Sequence, residues 1–119
     1  MKRLKCILIS TLLGLTFTAS PVEAGKPRVQ GTCSNPWFDA AAAYAGWPEE
    51  EISKVGEIAF RESRCRETAR NRCCSGLMQI HRAWLRQLGL KRSDLYDGQT
   101  NLAAAYYVWS VSGWNAWKL

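Results

Sequence analysis

The sequence predicts a small all-α (mainly α) single domain whose loops are stapled by disulfides. Three observations lead there. The chain has 119 residues, 47% of them hydrophobic and 22% charged, which supports one compact core and leaves no length for a second. No window alternates apolar and polar residues over the length of a strand, whereas several segments carry helix start and stop signals. Cys33, Cys65, Cys73 and Cys74 form an even set in the part of the chain that lies beyond an export leader.

The leader is residues 1–24. Lys2, Arg3 and Lys5 make a positive head, Cys6 to Ala19 is an apolar or small-residue stretch, and Val22-Glu23-Ala24 offers small residues at the two cleavage positions. This is the pattern of a signal peptide cleaved after Ala24, so a secreted or periplasmic protein is expected. The apolar stretch is shorter than the roughly 20 residues that span a bilayer. Residues 25–33 then read as a flexible arm tied down at Cys33, and residues 34–119 as the folded domain.

The first helix is signalled by Asn35-Pro36, with Pro36 in its first turn and Gly46 beyond its end. A second opens at Pro48, carries Glu49, Glu50 and Glu51 where their charges suit the helix dipole, and runs to about Arg64. Residues 82–88 read as a third helix stopped by Gly89. Asp97 caps a fourth, rich in alanine and aromatics, that ends before Gly113.

Bonding Cys73 to Cys74 is geometrically demanding. The expectation is therefore that Cys33 and Cys65 each pair with one member of that adjacent couple, in either combination. A zinc site is disfavoured, since there is no CxxC pair and His81 is the single histidine. No cofactor is expected.

One residue breaks the helical pattern. On the second helix Ile52, Val55, Ile58 and Ala59 share one arc, with Glu50, Lys54, Glu57, Arg61 and Arg64 opposite. Glu62 falls inside the apolar arc. A carboxyl group there is costly unless it is paired or faces a cleft, and a cleft-facing carboxyl suits a general acid. Periodicity alone leaves a structural ion pair to a nearby arginine equally open.

Downstream of Glu62 come Ser63-Arg64-Cys65, then Ala69-Arg70-Asn71, then Ser75-Gly76-Leu77-Met78-Gln79-Ile80, then Asn101-Leu102 on an alanine-rich helix. This order resembles the lysozyme-like superfamily, and within it the soluble lytic transglycosylase domain, over roughly residues 47–117. The resemblance implies that Glu62 is the catalytic acid and base, cleaving the β-1,4 bond between N-acetylmuramic acid and N-acetylglucosamine in peptidoglycan. It further implies that Ser63 orients the Glu62 carboxyl, that Met78 and Gln79 line the cleft and hold acetamido groups, and that Asn101 supports the site from behind. The family's Ala-Tyr-Asn motif has its nearest counterpart in Ala105-Tyr106-Tyr107, which puts Tyr106 beside the substrate.

Animal lysozymes of the superfamily carry a second carboxylate on a β-hairpin after the glutamate helix. Only Cys73, Cys74 and Ser75 separate Arg72 from Gly76, too few for such a hairpin, and the later carboxylates Glu67, Asp94 and Asp97 have no favoured spacing. Single-glutamate chemistry is the expectation. The substrate's own N-acetyl oxygen assists, and the product is a 1,6-anhydro sugar or a hydrolysed end.

Six tryptophans give aromatic faces that suit pyranose rings or a core equally well. Trp109, at helical spacing from Leu102 and Ala105, is assigned to the core, and Trp114 is the cleft candidate. His81 begins the third helix or edges the cleft. The 16 Lys and Arg against 10 Asp and Glu give +6, and about +4 without the leader, a charge that favours anionic partners such as a wall polymer. A monomer acting on peptidoglycan strands is the expectation, with no nucleic-acid partner and no stable membrane insertion. Two rival classes are a lysozyme-like module that grips glycan without cleaving it and a secreted cationic, membrane-active protein.

Overall fold

The structure, a computed structural model, describes residues 31–118. The leader at 1–24 and the arm up to residue 30 lie outside the described residues. Helix α1, Pro36–Ala45, begins where Asn35 Oδ1 accepts the Phe38 N–H at 2.8 Å, and Pro36 sits at a first-turn position that needs no donor. It ends at Gly46, whose φ of 110° is the left-handed turn that lets its N–H reach back to the last carbonyls.

Helix α2, Glu49–Ser63, starts after Pro48 with its three glutamates in the first turn and stops at Arg64, φ 54°. Its stripe divides as the periodicity predicts: Val55, Ile58 and Ala59 are buried, whereas Glu50, Lys54, Glu57, Arg61 and Arg64 are exposed. The third predicted helix is split. Arg82–Trp84 form a 3₁₀ turn, capped by His81 Nδ1 accepting the Ala83 N–H, and α3, Leu85–Leu88, adds one α-turn before Gly89.

Helix α4, Gly98–Ser112, is capped by Asp97, which accepts from Thr100 through both its N–H and its hydroxyl. Leu102, Ala104, Ala105 and Val108 are buried, and α1 packs against both α4 and α2. A 3₁₀ turn at Gly113–Trp117 folds back along α4. Trp47 is buried between these elements, donates its indole N–H to the Leu102 carbonyl and centres a cluster with Tyr106, Trp109 and Trp114. The core assignment of Trp109 agrees with this packing.

Two expectations need correction. The mainly helical class stands, but β1, Cys74–Ser75, pairs antiparallel with β2, Ile80–His81, and the Gly76-to-Gln79 segment turns between them. A strand of two residues has no alternation to read. The disulfides also differ: Cys33 bonds to Cys65, and Cys73 bonds to Cys74. The Cys33 N–H donates to the Gly56 carbonyl on α2, and Cys65 lies just past the end of that helix, which brings the two Cα atoms to 5.5 Å. Once they are satisfied by each other, the adjacent cysteines are left to pair together.

Candidate functional site

Glu62 continues the stripe of Ile58 and Ala59 past the point where the core ends. Successive helix positions are about 100° apart, so Ser63 turns away from Glu62 and is buried. Its hydroxyl donates to the Ala59 carbonyl at 2.9 Å and accepts from the Cys65 N–H at 3.1 Å. It makes no hydrogen bond to Glu62, so the expected orienting role has no geometric basis. Arg61 takes that place. Its Nε and Nη2 both reach Glu62 Oε2, at 3.1 and 2.7 Å, and Nη2 also donates to the Trp117 carbonyl at 2.7 Å. Among the described residues no hydrogen bond reaches Oε1. The pair is not buried, with Arg61 and Glu62 side chains 44% and 27% exposed.

The turn between β1 and β2 carries Gln79, which shares a cavity with Glu62. Gly76 has φ 82°, and a Cβ there would collide with the Asn101 side chain and the Leu95 carbonyl, so only glycine fits. Asn101, fully buried on α4, accepts the Met78 N–H at 2.8 Å and donates to the Ser75 and Leu95 carbonyls at 3.0 Å each. One amide thereby fixes the turn from behind. The Met78 side chain is buried in the core and contributes no cavity wall, a correction to its expected role; its carbonyl accepts the Trp117 indole N–H at 2.8 Å. Gln79, φ 50°, does line the cavity. Both of its Nε2 hydrogens go to carbonyls, of Ala69 and Gly76, and its Oε1 accepts from Asn71 at 3.2 Å. With its donors used, Gln79 can offer a ligand only an acceptor.

The loop before β1 is held by Arg92. Its Nε donates to the Ser75 hydroxyl at 2.6 Å, Nη1 to the Arg72 carbonyl at 3.1 Å, and Nη2 to the carbonyls of Asn71 and Cys74. A planar fork with five donors suits a curved set of carbonyls in a way that a point charge does not. Nothing in the sequence singles Arg92 out from the neighbouring basic residues.

These pieces enclose a cavity of about 370 Å³. The end of α2 supplies Glu62, and the loop and β1 supply Asn71, Cys73 and Cys74. Gln79, Ile80, His81 and Trp84 also line it, as do Val108, Ala116, Trp117 and Lys118. His81 therefore both caps the 3₁₀ turn and edges the cavity. The tryptophan expectation is corrected: Trp84 and Trp117 line the cavity, whereas Trp114 stacks on Trp47 at 5.5 Å with the Lys54 ammonium over its ring at 4.9 Å. Tyr106 likewise belongs to the aromatic cluster, edge-on to Trp47 at 5.6 Å, and lies away from the cavity wall.

Glu62 is the one carboxylate among the described residues that line this cavity. The three later candidates are used elsewhere. Glu67 accepts the Gly98 N–H, Asp94 accepts the Lys91 N–H, and Asp97 caps α4. Asp97 is held below its ordinary value first by the Thr100 backbone N–H and then by the Thr100 hydroxyl. No group of three or more metal-ligating side chains occurs among the described residues, and none of the described helices is long and apolar enough to cross a membrane. Comparison with family models, with curated proteins and with solved structures gave no match to this chain.

Proposed function

We propose that the protein cleaves the glycan strands of peptidoglycan, at the β-1,4 bond between N-acetylmuramic acid and N-acetylglucosamine, with Glu62 as its single acid and base. The observation that carries this reading is one carboxylate, at the end of a helix, in the wall of a cavity that Gln79 also lines. The ordered resemblance to the lysozyme-like soluble lytic transglycosylase domain supplies the substrate class. Signal-peptide cleavage would deliver the domain to the compartment where that substrate lies.

In this reading protonated Glu62 gives its proton to the glycosidic oxygen as the C1–O bond breaks, and the substrate's N-acetyl oxygen closes on C1 to hold the developing positive charge. The carboxylate then takes a proton from the sugar's 6-hydroxyl or from water as that oxygen bonds to C1 and the N-acetyl oxygen leaves it, yielding a 1,6-anhydro end or a reducing end. No second protein carboxylate is required, in keeping with the absence of one among the described cavity residues. Oε1, which Arg61 leaves unengaged, is the oxygen suited to proton transfer, and Arg61 on Oε2 fixes the carboxyl plane. The Gln79 acceptor suits an acetamido N–H.

A second reading is a module that binds glycan without cleaving it, and the Arg61–Glu62 ion pair favours it, because it gives the carboxyl group a structural partner of its own. Incubating purified peptidoglycan with the protein and analysing released muropeptides by mass spectrometry tests both. Anhydro or reducing ends released by the wild type and not by Glu62→Gln support cleavage; binding to sacculi with no release supports the module.

A further inference from the structure

The second disulfide joins neighbours in sequence, so it closes no chain loop and adds nothing by the chain-entropy route that makes Cys33–Cys65 stabilising. Its position gives it another use. Cys73 and Cys74 are half-buried and both line the cavity that holds Glu62. The surface they present there is set by where their polar groups go. Both N–H groups donate to Asn71 Oδ1 at 2.9 Å. The Cys73 carbonyl accepts the Arg82 N–H at 2.8 Å, and the Cys74 carbonyl accepts from the Asn71 N–H and from Arg92 Nη2 at 3.0 Å each.

Every backbone donor and acceptor of the two residues is thus engaged within the protein. Their contribution to the wall is two polarizable sulfurs and two methylenes, an apolar surface. It lies beside the polar Asn71, Gln79 and His81, with the Trp84 ring also in the wall. A cavity that sets apolar surface next to a few hydrogen-bonding groups suits a ligand with one hydrocarbon face and polar edges. A pyranose ring has that form.

We infer that the Cys73–Cys74 disulfide is a ligand-contacting wall of the cavity, packing its sulfurs against the C–H face of a pyranose ring. This rests on the proposed glycan substrate and goes beyond it by assigning a contact. The contact is dispersive and apolar. Removing roughly 20 to 30 Å² of such surface corresponds to about a threefold loss of affinity.

The test uses the full folded domain carrying Glu62→Gln, labelled uniformly with ¹⁵N and with ¹³C at the cysteine Cβ positions, and titrated with the tetramer of N-acetylglucosamine. The Cβ resonances of Cys73 and Cys74 should move with a saturable dependence, while those of Cys33 and Cys65 stay fixed as an internal control. In parallel, Cys73→Ala/Cys74→Ala should weaken binding about threefold. Because the labelled protein keeps both disulfides, the shift experiment stands even where the double variant folds poorly. Shifts at His81 and Trp84 with none at Cys73 and Cys74 would overturn the inference and leave the glycan reading intact. No shift at any cavity residue, together with no muropeptide release by the wild type, would overturn both.

Discussion

Replacing Glu62 by glutamine removes one acidic proton and one charge and preserves the outline of the side chain and its ability to accept from Arg61. The stability cost is set by exposure. With Arg61 44% and Glu62 27% exposed, solvent screens the pair, and the measured range for such exposed pairs is about 0.2 to 1 kcal/mol. In a domain of this size that moves the melting temperature by no more than about 4 to 8 °C. Turnover should fall far more, by roughly 10² to 10⁴, because the group that carries the proton is gone. Thermal melts followed by circular dichroism, beside a turbidity assay on purified sacculi, read the two quantities separately, and binding to sacculi should persist. A drop in stability of about 3 to 5 kcal/mol with activity retained at low temperature is the signature of a buried structural pair, and it would refute the catalytic assignment.

Three further outcomes are expected. Cys33→Ser/Cys65→Ser opens a bond spanning 32 residues and should cost about 3 to 4 kcal/mol by the chain-entropy estimate, read as the shift of a denaturant midpoint; a loss below about 1 kcal/mol would contradict that account. Asn101→Ala strands the Met78 N–H and the Ser75 and Leu95 carbonyls in the core, so a loss of at least about 2 kcal/mol is expected, with faster hydrogen exchange at Met78 as the local marker. Asp97 sits below its ordinary value of 3.8 in the folded state, so its stabilisation is present above that value and disappears as pH falls through the folded value. Asp97→Asn retains a capping oxygen but no titrating charge, so the fall of melting temperature below about pH 4 should be shallower than in the wild type.

The helices were legible because their signals are local: Asn35, Gly46, Gly89 and Asp97 each act within one turn of their own position. Glu62 was legible because a stripe of period 3.6 leads to it. The failures share a different cause. Ser63 is next to Glu62 in sequence, yet a single helical step carries it to another face. Cysteine pairing depends on which segments meet in space, and α2 decides that by bringing Cys33 to Cys65. Trp84 and Trp114 are equivalent as letters; the 3₁₀ turns around them decide which reaches the cavity. Arg92 gave no sign at all, because its partners are main-chain carbonyls that every residue possesses.

That last arrangement separates the shape of the cavity from the acidity of its surroundings. A guanidinium keeps its charge throughout the working range of proteins, and carbonyls do not ionise, so the fork that holds residues 71–75 is the same in mild acid as in mild base. Had a lysine and a carboxylate held the loop, the wall would loosen as the acid took up a proton. A change of the wall with pH is therefore not expected, and Arg92→Lys, which keeps the charge and discards the fork, should loosen the wall to the same extent in mild acid and in mild base.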